Sequence, residues 1–445
     1  MLLLVQCHSS SNYHFGVSKD SRLRLSYANA GWETEHFKNA GLSAERPNRS
    51  EHREKMMRFR LQSMVAILIA MLLLSTLALT QQPTPSAPET SPSQDQSSQD
   101  QSGSSQEPET VAPVMGGAYP VMSKAIEARG RQIFEMFNQM QTSAFWATLS
   151  PGLKKHYGSD AKLAEVNKKL RERMGAENKV LGETLVPYIM APDTIYSRRS
   201  DFSNVRVPVV TTITMNQRGE VDLFTIGPES PVSEGRYAGY TDTTKLKLPF
   251  NGEWLVYQGG RTTFDNAYAG SDDLRFAMDF VYLKDGRLFS GPGGPRSKST
   301  DYYCFGQPIV APADGTVVKA EGGYDDNDPG KNSGDSPDGN IVVISHGNGE
   351  FSQMNHLKQN SLKVKLSDKV KQGDVLAECG NSGSSPAPHL HYQFQRGPGT
   401  LLPPQFNDYI ADGKPVANGE PKKGQFVKNG PAPAPAPSAA KPASK

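Results

Sequence analysis

The chain has 445 residues, 48 basic against 46 acidic side chains and a formal net charge of +2. That balance gives no reason to expect a nucleic-acid partner, and the length exceeds that of a typical single domain. Hydrophobic residues make up 36% of the chain, below the globular norm, so long segments should lie outside any packed core.

Residues 1–55 show no clear periodicity and are expected to fall outside the working protein. Arg58 and Arg60 precede an apolar run from Met64 to Leu79, and Thr80-Gln81-Gln82-Pro83 follow it. A basic start, a short apolar centre and a small-residue exit describe a secretory signal over residues 56–80, with Met56 or Met57 as its own start. The run is on the short side for a membrane span, and an uncleaved anchor tethering the protein to the membrane is the alternative. Residues 81–117 are rich in Pro, Ser and Gln, cannot bury a core and read as a disordered linker.

Residues 118–230 have ordinary globular composition. Ile126, Ile133, Phe134, Phe137 and Met140 recur at helical spacing. Ser159 can cap a second helix carrying Leu163, Val166, Leu170 and Met174, and Gly175 can end it. Strand-like segments run from Asp193 to Phe202, Val205 to Met215 and Glu220 to Ile226, the last two joined by a turn at Asn216-Gln217-Arg218-Gly219. Helices first and antiparallel strands after predict a small α+β accessory domain. Its one histidine, His156, is expected on the surface, and no catalytic set is visible there.

Residues 243–400 consist of short strands and glycine-rich turns. Val310 to Val318 reads as strand, turn, strand around Asp314-Gly315. Asn340 to His346 is apolar enough for a central strand, Gly347-Asn348-Gly349 turns, and Phe351 to Leu357 returns. Lys369 to Ala377 supplies another turn and strand. An all-β, antiparallel, sandwich-like domain is predicted. Residues 401–445 are assigned to a Pro/Ala/Lys-rich tail, whose repetitive composition is plainest from about Gly430.

The candidate chemistry lies in the second block. His389 and His391, at i and i+2 in a strand, point to one face. Two imidazoles there can bind one metal ion, or divide into one ligand and one proton-transfer group. A zinc hydrolase needs about three protein ligands and one open position. The chain offers Asp279, His356, His389 and His391 for these tasks. Of the three cysteines, Cys304 and Cys379 fall in this domain. In an exported protein such a pair can form a disulfide, and two buried free thiols are the alternative.

Ala277-Met278-Asp279-Phe280, the hairpin from Pro308 to Val317, Val342 to Gly349, Asn355-His356-Leu357, Gly380 to Gly383 and Pro388-His389-Leu390-His391-Tyr392 occur in one order. In that order they resemble the M23 family of zinc endopeptidases, the LytM or lysostaphin type, which cut peptide bonds in peptidoglycan. The resemblance implies Zn²⁺ as cofactor, peptidoglycan as partner and an extracytoplasmic location, in the periplasm or cell envelope. It implies Asp279 and His391 as zinc ligands. His356 and His389 would be the non-ligand histidines that handle the water and the oxyanion. His346 is expected to be a hydrogen-bonded structural residue. The first block resembles small domains related to the nuclear-transport-factor-2-like (NTF2-like) fold. The phrases around Asp314-Gly315 and Val370 to Val375 also occur in lipoyl carrier domains, but no modifiable lysine tip lies between them.

One position departs from the family pattern. The residue four before Asp279, where a ligand histidine is expected, is Arg275. A guanidinium has no lone pair to give to zinc. Asp272, Asp273 or a further water could complete the shell, with Arg275 turned away or paired to Asp272 or Asp273. Alternatively, the domain is a non-catalytic relative that binds cell wall or activates another hydrolase. Folding requires none of the four polar site groups, so their joint retention favours a metal-dependent hydrolase.

Overall fold

The computed structural model describes residues 122–290, 298–331, 336–397 and 399–431. The expected extension, signal segment and linker, and the end of the Pro/Ala/Lys tail, lie outside the described residues. Among the described residues no helix is long and apolar enough to cross a membrane.

The first block opens with four helices: α1 (Lys124–Asn138), α2 (Thr142–Thr148), α3 (Pro151–Tyr157) and α4 (Asp160–Met174). Ser123, Ser150 and Ser159 cap α1, α3 and α4 by accepting from backbone N–H groups of the first turn, and Gly175 ends α4 at φ 76°. Met140 lies beyond the end of α1 at φ 60°, so it leaves the apolar stripe that its spacing suggested. Strands β1 (Glu177–Pro187), β2 (Thr194–Phe202), β3 (Val209–Met215) and β4 (Val221–Pro228) follow as one antiparallel sheet in sequence order. Ile133, Phe134 and Phe137 of α1 bury against Tyr196, Ile213 and Phe224 of the sheet. Gly130 makes this possible, because a Cβ there would lie 2.4 Å from Cγ of Tyr196.

The second block has thirteen strands: β5 (Trp254–Gln258), β6 (Met278–Val281), β7 (Pro308–Val310), β8 (Gly315–Glu321), β9 (Asn340–Gly347), β10 (Glu350–Leu357), β11 (Lys369–Val370), β12 (Val375–Glu378), β13 (Leu390–Gln395), β14 (Leu401–Leu402), β15 (Phe406–Ala411), β16 (Lys414–Gly419) and β17 (Phe426–Asn429). Eleven form one antiparallel sheet in the order β11-β8-β9-β10-β13-β6-β5-β17-β15-β16, with β14 beside β13, and β7 pairs with β12. Leu390, Tyr392 and Phe394 of β13 join Phe250, Trp254 and Phe280 in the main core. Trp254 stacks on Phe250 at 4.7 Å and packs the domain.

Two expectations are corrected here. The tail does not begin at residue 401, because residues 401–429 carry β14 to β17. Phe406, Tyr409, Ala411 and Val427 bury in the main core, and β17 hydrogen-bonds to β5, which a Pro/Ala tail could not do. Cys304 and Cys379 are not bridged but are free thiols, 0% and 1% exposed in that core. Burial, and then the contact with Cys304, hold the Cys379 thiol well above its ordinary range. A disulfide forms through a thiolate, which this apolar setting disfavours.

Two features join the blocks. The β1–β2 turn buries Val186 and Ile189 against Leu255, Val281, Tyr302 and Ala387. Tyr302 Oη donates to Ile189 O at 3.1 Å. Between β4 and β5 the chain runs as a strap fastened by Glu350, which is 0% exposed. Glu350 Oε1 accepts from Tyr240 Oη at 2.9 Å and Thr243 N at 2.8 Å. Its Oε2 accepts from Thr243 Oγ1 and Thr244 N, both at 2.8 Å, and from Thr244 Oγ1.

Candidate metal centre

Three central strands bring the site together by register. Asn355 of β10 pairs with His391 of β13, and His391 pairs with Asp279 of β6. Directly opposed residues share a face of the sheet, so the imidazole and carboxylate meet side by side. His391 Nδ1 lies 2.8 Å from Asp279 Oδ1. His389 sits just before β13, and its Nε2 is 3.6 Å from the same oxygen.

His356 reaches the site by a different device. The pairing of β10 with β9 is irregular between Met354 and Leu357, and His356 adopts φ 58°. A bulge of this kind re-aims a side chain, and a left-handed non-glycine residue is held there only by its surroundings. His356 N donates to Asp338 O at 3.0 Å, and Nδ1 contacts Ser382 O at 2.9 Å. The His356 ring centre is 5.0 Å from that of His389 and 5.6 Å from that of His391.

Each ring is oriented by a partner. A carbonyl oxygen only accepts, so Nδ1 of His356 and Nδ1 of His389, 2.8 Å from Ala387 O, carry the proton. Their Nε2 atoms therefore hold lone pairs. Ser385 Oγ lies 3.2 Å from His389 Nδ1 and steadies the same turn. Gln393 Nε2 lies 3.1 Å from His391 Nε2, and Tyr268 Oη donates to Asp279 Oδ2 at 2.9 Å.

Asp279, His356, His389 and His391 are 5%, 6%, 4% and 4% exposed. Burial, reinforced by the neighbouring imidazoles, pushes His356 well below the usual histidine range, and burial also lowers His389. Burial would raise Asp279, but His389, His391 and Tyr268 outweigh it and keep the group an anion. Burial and the Asp279 charge push the Tyr268 phenol up, so it remains a donor.

Arg275 is turned away from the four. Its Nη1 donates to Ser233 O, and Nη2 donates to Ser233 Oγ at 3.0 Å and to Asp272 Oδ1 at 2.9 Å. Asp272 is thus the partner of Arg275, and its side chain is 95% exposed. His346 is structural, with Nδ1 2.8 Å from Asp314 O and Nε2 2.7 Å from Ser352 Oγ. Asn381 shapes the turn behind His356, donating through Nδ2 to Asn327 O at 3.0 Å.

Sequence reasoning overlooked Tyr268 and Gln393. Gln393 follows His391 at i+2, and strand alternation alone could have found it. Tyr268 lies on a short 3-10 turn, Ala267–Gly270, and no spacing rule points to it.

The donor set suits zinc. Ring nitrogens of His356, His389 and His391 lie within 4.8 Å of one another, and a buried carboxylate joins them. Two ligand atoms on a tetrahedral zinc are about 3.3 Å apart, from bond lengths of about 2.0–2.1 Å. The spacings of 2.8 and 3.6 Å around Asp279 Oδ1 bracket that value.

Over 89 residues the chain is 37% identical to an uncharacterised metalloprotease of Haemophilus influenzae, covering 20% of this chain and 16% of that protein. Over 114 residues it is 33% identical to the peptidoglycan DD-endopeptidase ShyC of Vibrio cholerae, covering 24% and 23%. Over 104 residues it is 31% identical to the glycyl-glycine endopeptidase ALE-1 of Staphylococcus capitis, covering 23% and 25%. The chain matches a quarter or less of the length of these curated relatives. Residues 296–403, which include His356, His389 and His391, match the model of peptidase family M23.

Proposed function

We propose that the second block is a zinc-dependent endopeptidase of the M23 type that hydrolyses peptide bonds in peptidoglycan, outside the cytoplasmic membrane. The convergence of Asp279, His356, His389 and His391 in one buried cluster carries this reading. Relatives that act on peptidoglycan support the substrate class. The first block serves as an NTF2-like accessory domain, and the apolar segment at residues 56–80 provides export or a membrane tether.

Asp279 and His391 would hold the metal, with Tyr268 and Gln393 fixing their orientation. Zinc, when bound, lowers the pKa of a water toward neutrality and polarises the scissile carbonyl. His356 keeps its proton on Nδ1 against Ser382 O, so Nε2 can accept a proton from the attacking water. The same atom can return it to the amine as the peptide bond breaks. Burial strengthens these interactions by excluding bulk water.

The presence of Arg275 favours a second reading, a non-catalytic module that binds wall or activates another hydrolase. Elemental analysis of the purified full chain, with parallel digestion of peptidoglycan, separates the two. The enzyme reading expects bound zinc, released peptides, and loss of both on His391→Ala. A metal-free protein that stimulates a second hydrolase would establish the module reading instead.

A further inference from the structure

We propose that His389 is the third metal donor of this centre, through Nε2, and that it supplies the coordination lost where Arg275 stands. The inference rests on the metal-dependent reading above and changes the role that the family resemblance gives to His389.

The first support is elimination. Arg275 is committed to Ser233 and Asp272. The strap is shaped around it: Gly235 sits at φ +79°, and a Cβ there would lie 2.8 Å from both Cδ and Nε of Arg275. The guanidinium is therefore packed against the strap rather than turned toward the cluster. Asp272 and Asp273 are exposed, whereas the cluster is buried.

The second support is the placement of His389 Nε2 beside the Asp279 carboxylate. The contact of His389 Nδ1 with Ala387 O leaves the lone pair on Nε2. That atom faces Asp279 Oδ1, also an acceptor, at 3.6 Å, too far for a hydrogen bond. Both groups are at least nine-tenths buried, with His389 4% and Asp279 5% exposed. The nitrogen lone pair and the carboxylate oxygen thus face one another at a spacing that a shared metal ion can bridge. His391 Nδ1 lies 2.8 Å from the same oxygen and would join them as the third donor on giving up its proton when a metal binds. His356 is held by Ser382 and the left-handed backbone, and with His389 given to the metal it is left as the proton-handling imidazole.

The test is zinc affinity of the full chain, measured by competition with a chromophoric chelator. Circular dichroism and thermal melting establish that each variant is folded. His389→Ala should lower affinity about 100-fold or more, as Asp279→Ala and His391→Ala should, since even removal of a ligand's supporting partner costs 10–100-fold. His389→Gln, which fills the same pocket without an imidazole, should show the same loss. His356→Ala should keep affinity within about threefold while abolishing peptidoglycan hydrolysis. Near-normal zinc affinity in either folded His389 variant would overturn the proposal while leaving the zinc enzyme intact. Absence of zinc binding by the unaltered chain would instead overturn the function on which the proposal rests.

Discussion

Replacing Glu350 by glutamine tests whether the strap between the blocks is held by charge. The substitution preserves volume and changes only what one carboxylate oxygen can accept. In the native arrangement Oε1 accepts two hydrogen bonds and Oε2 three. The glutamine oxygen can keep the bonds from Tyr240 and Thr243 N, and the new amide then faces Thr243 Oγ1, Thr244 Oγ1 and Thr244 N. The hydroxyls can rotate to accept, but the backbone N–H of Thr244 can only donate. One orphaned donor costs about 1–3 kcal/mol, and the surviving bonds lose their charge-assisted share, so the expected destabilisation is about 2–4 kcal/mol. Urea unfolding of the full chain measures it, and hydrogen exchange at Thr243 and Thr244 shows whether the loss is local. Burial opposes the charge of Glu350, but bonds from Thr243, Thr244 and Tyr240 hold its pKa below the usual range. A carboxylate lowered on folding stabilises above its unfolded pKa of about 4.3 and loses that contribution as pH falls through the folded value. Glu350→Gln should therefore flatten the acid limb of the stability profile below about pH 4. A variant within about 0.5 kcal/mol of wild type, with Thr244 still protected, would refute this account of the strap.

Other perturbations probe the junction and the strap's far end. Ile189→Ala should cost about 2–4 kcal/mol in urea unfolding and Ile189→Val about 1 kcal/mol; equal, negligible losses would show that the β1–β2 turn does not hold the blocks together. Burial, and then the charge of Asp222, push Asp193 up to about 7. A carboxyl raised on folding stabilises fully below its unfolded pKa of about 3.9 and loses that contribution as pH rises from there through about 7, so Asp193→Asn should reduce the drop in Tm between about pH 4 and pH 7, and an unchanged drop would exclude Asp193 as its source. Arg275→Met with Glu350→Gln forms a double-mutant cycle across the strap. A cooperative strap gives a combined loss smaller than the sum, and strict additivity would mean two independent anchors.

The histidine cluster was legible because strand periodicity is local. Alternation places side chains two apart on one face, and Asp279 falls opposite His391 by simple antiparallel register. The capped helices were legible for a similar reason, since Ser159 and Gly175 are end signals that act within a turn. What escaped were effects of chain folding over distance. Tyr268 reaches Asp279 from a short turn, and His356 enters through a bulge that no pattern announces. The strands beyond residue 401 were read as tail because Gly, Pro and Lys dominate their surroundings. Their few apolar residues are nevertheless spaced to bury in the main core. The cysteines carried a compartment argument, but the apolar packing around them decided their state.

Arg275 joins these local and distant effects. A permanent cation beside a metal centre should repel the ion, and at a few ångströms that repulsion would amount to several kcal/mol. The fold avoids this by making the guanidinium a fastener of the interdomain strap, through Ser233 at one end, while Glu350 secures the other end through Thr243 and Thr244. Arg275 thus acts as an anchor outside the cluster. A histidine at position 275 would lack the reach and the donors that hold Ser233 and Asp272. The strap would then lose its N-terminal anchor before the centre could gain a ligand. The position is better understood as part of the connection between the blocks than as a defect in the site. The missing donor is therefore to be sought among the imidazoles already converging on Asp279.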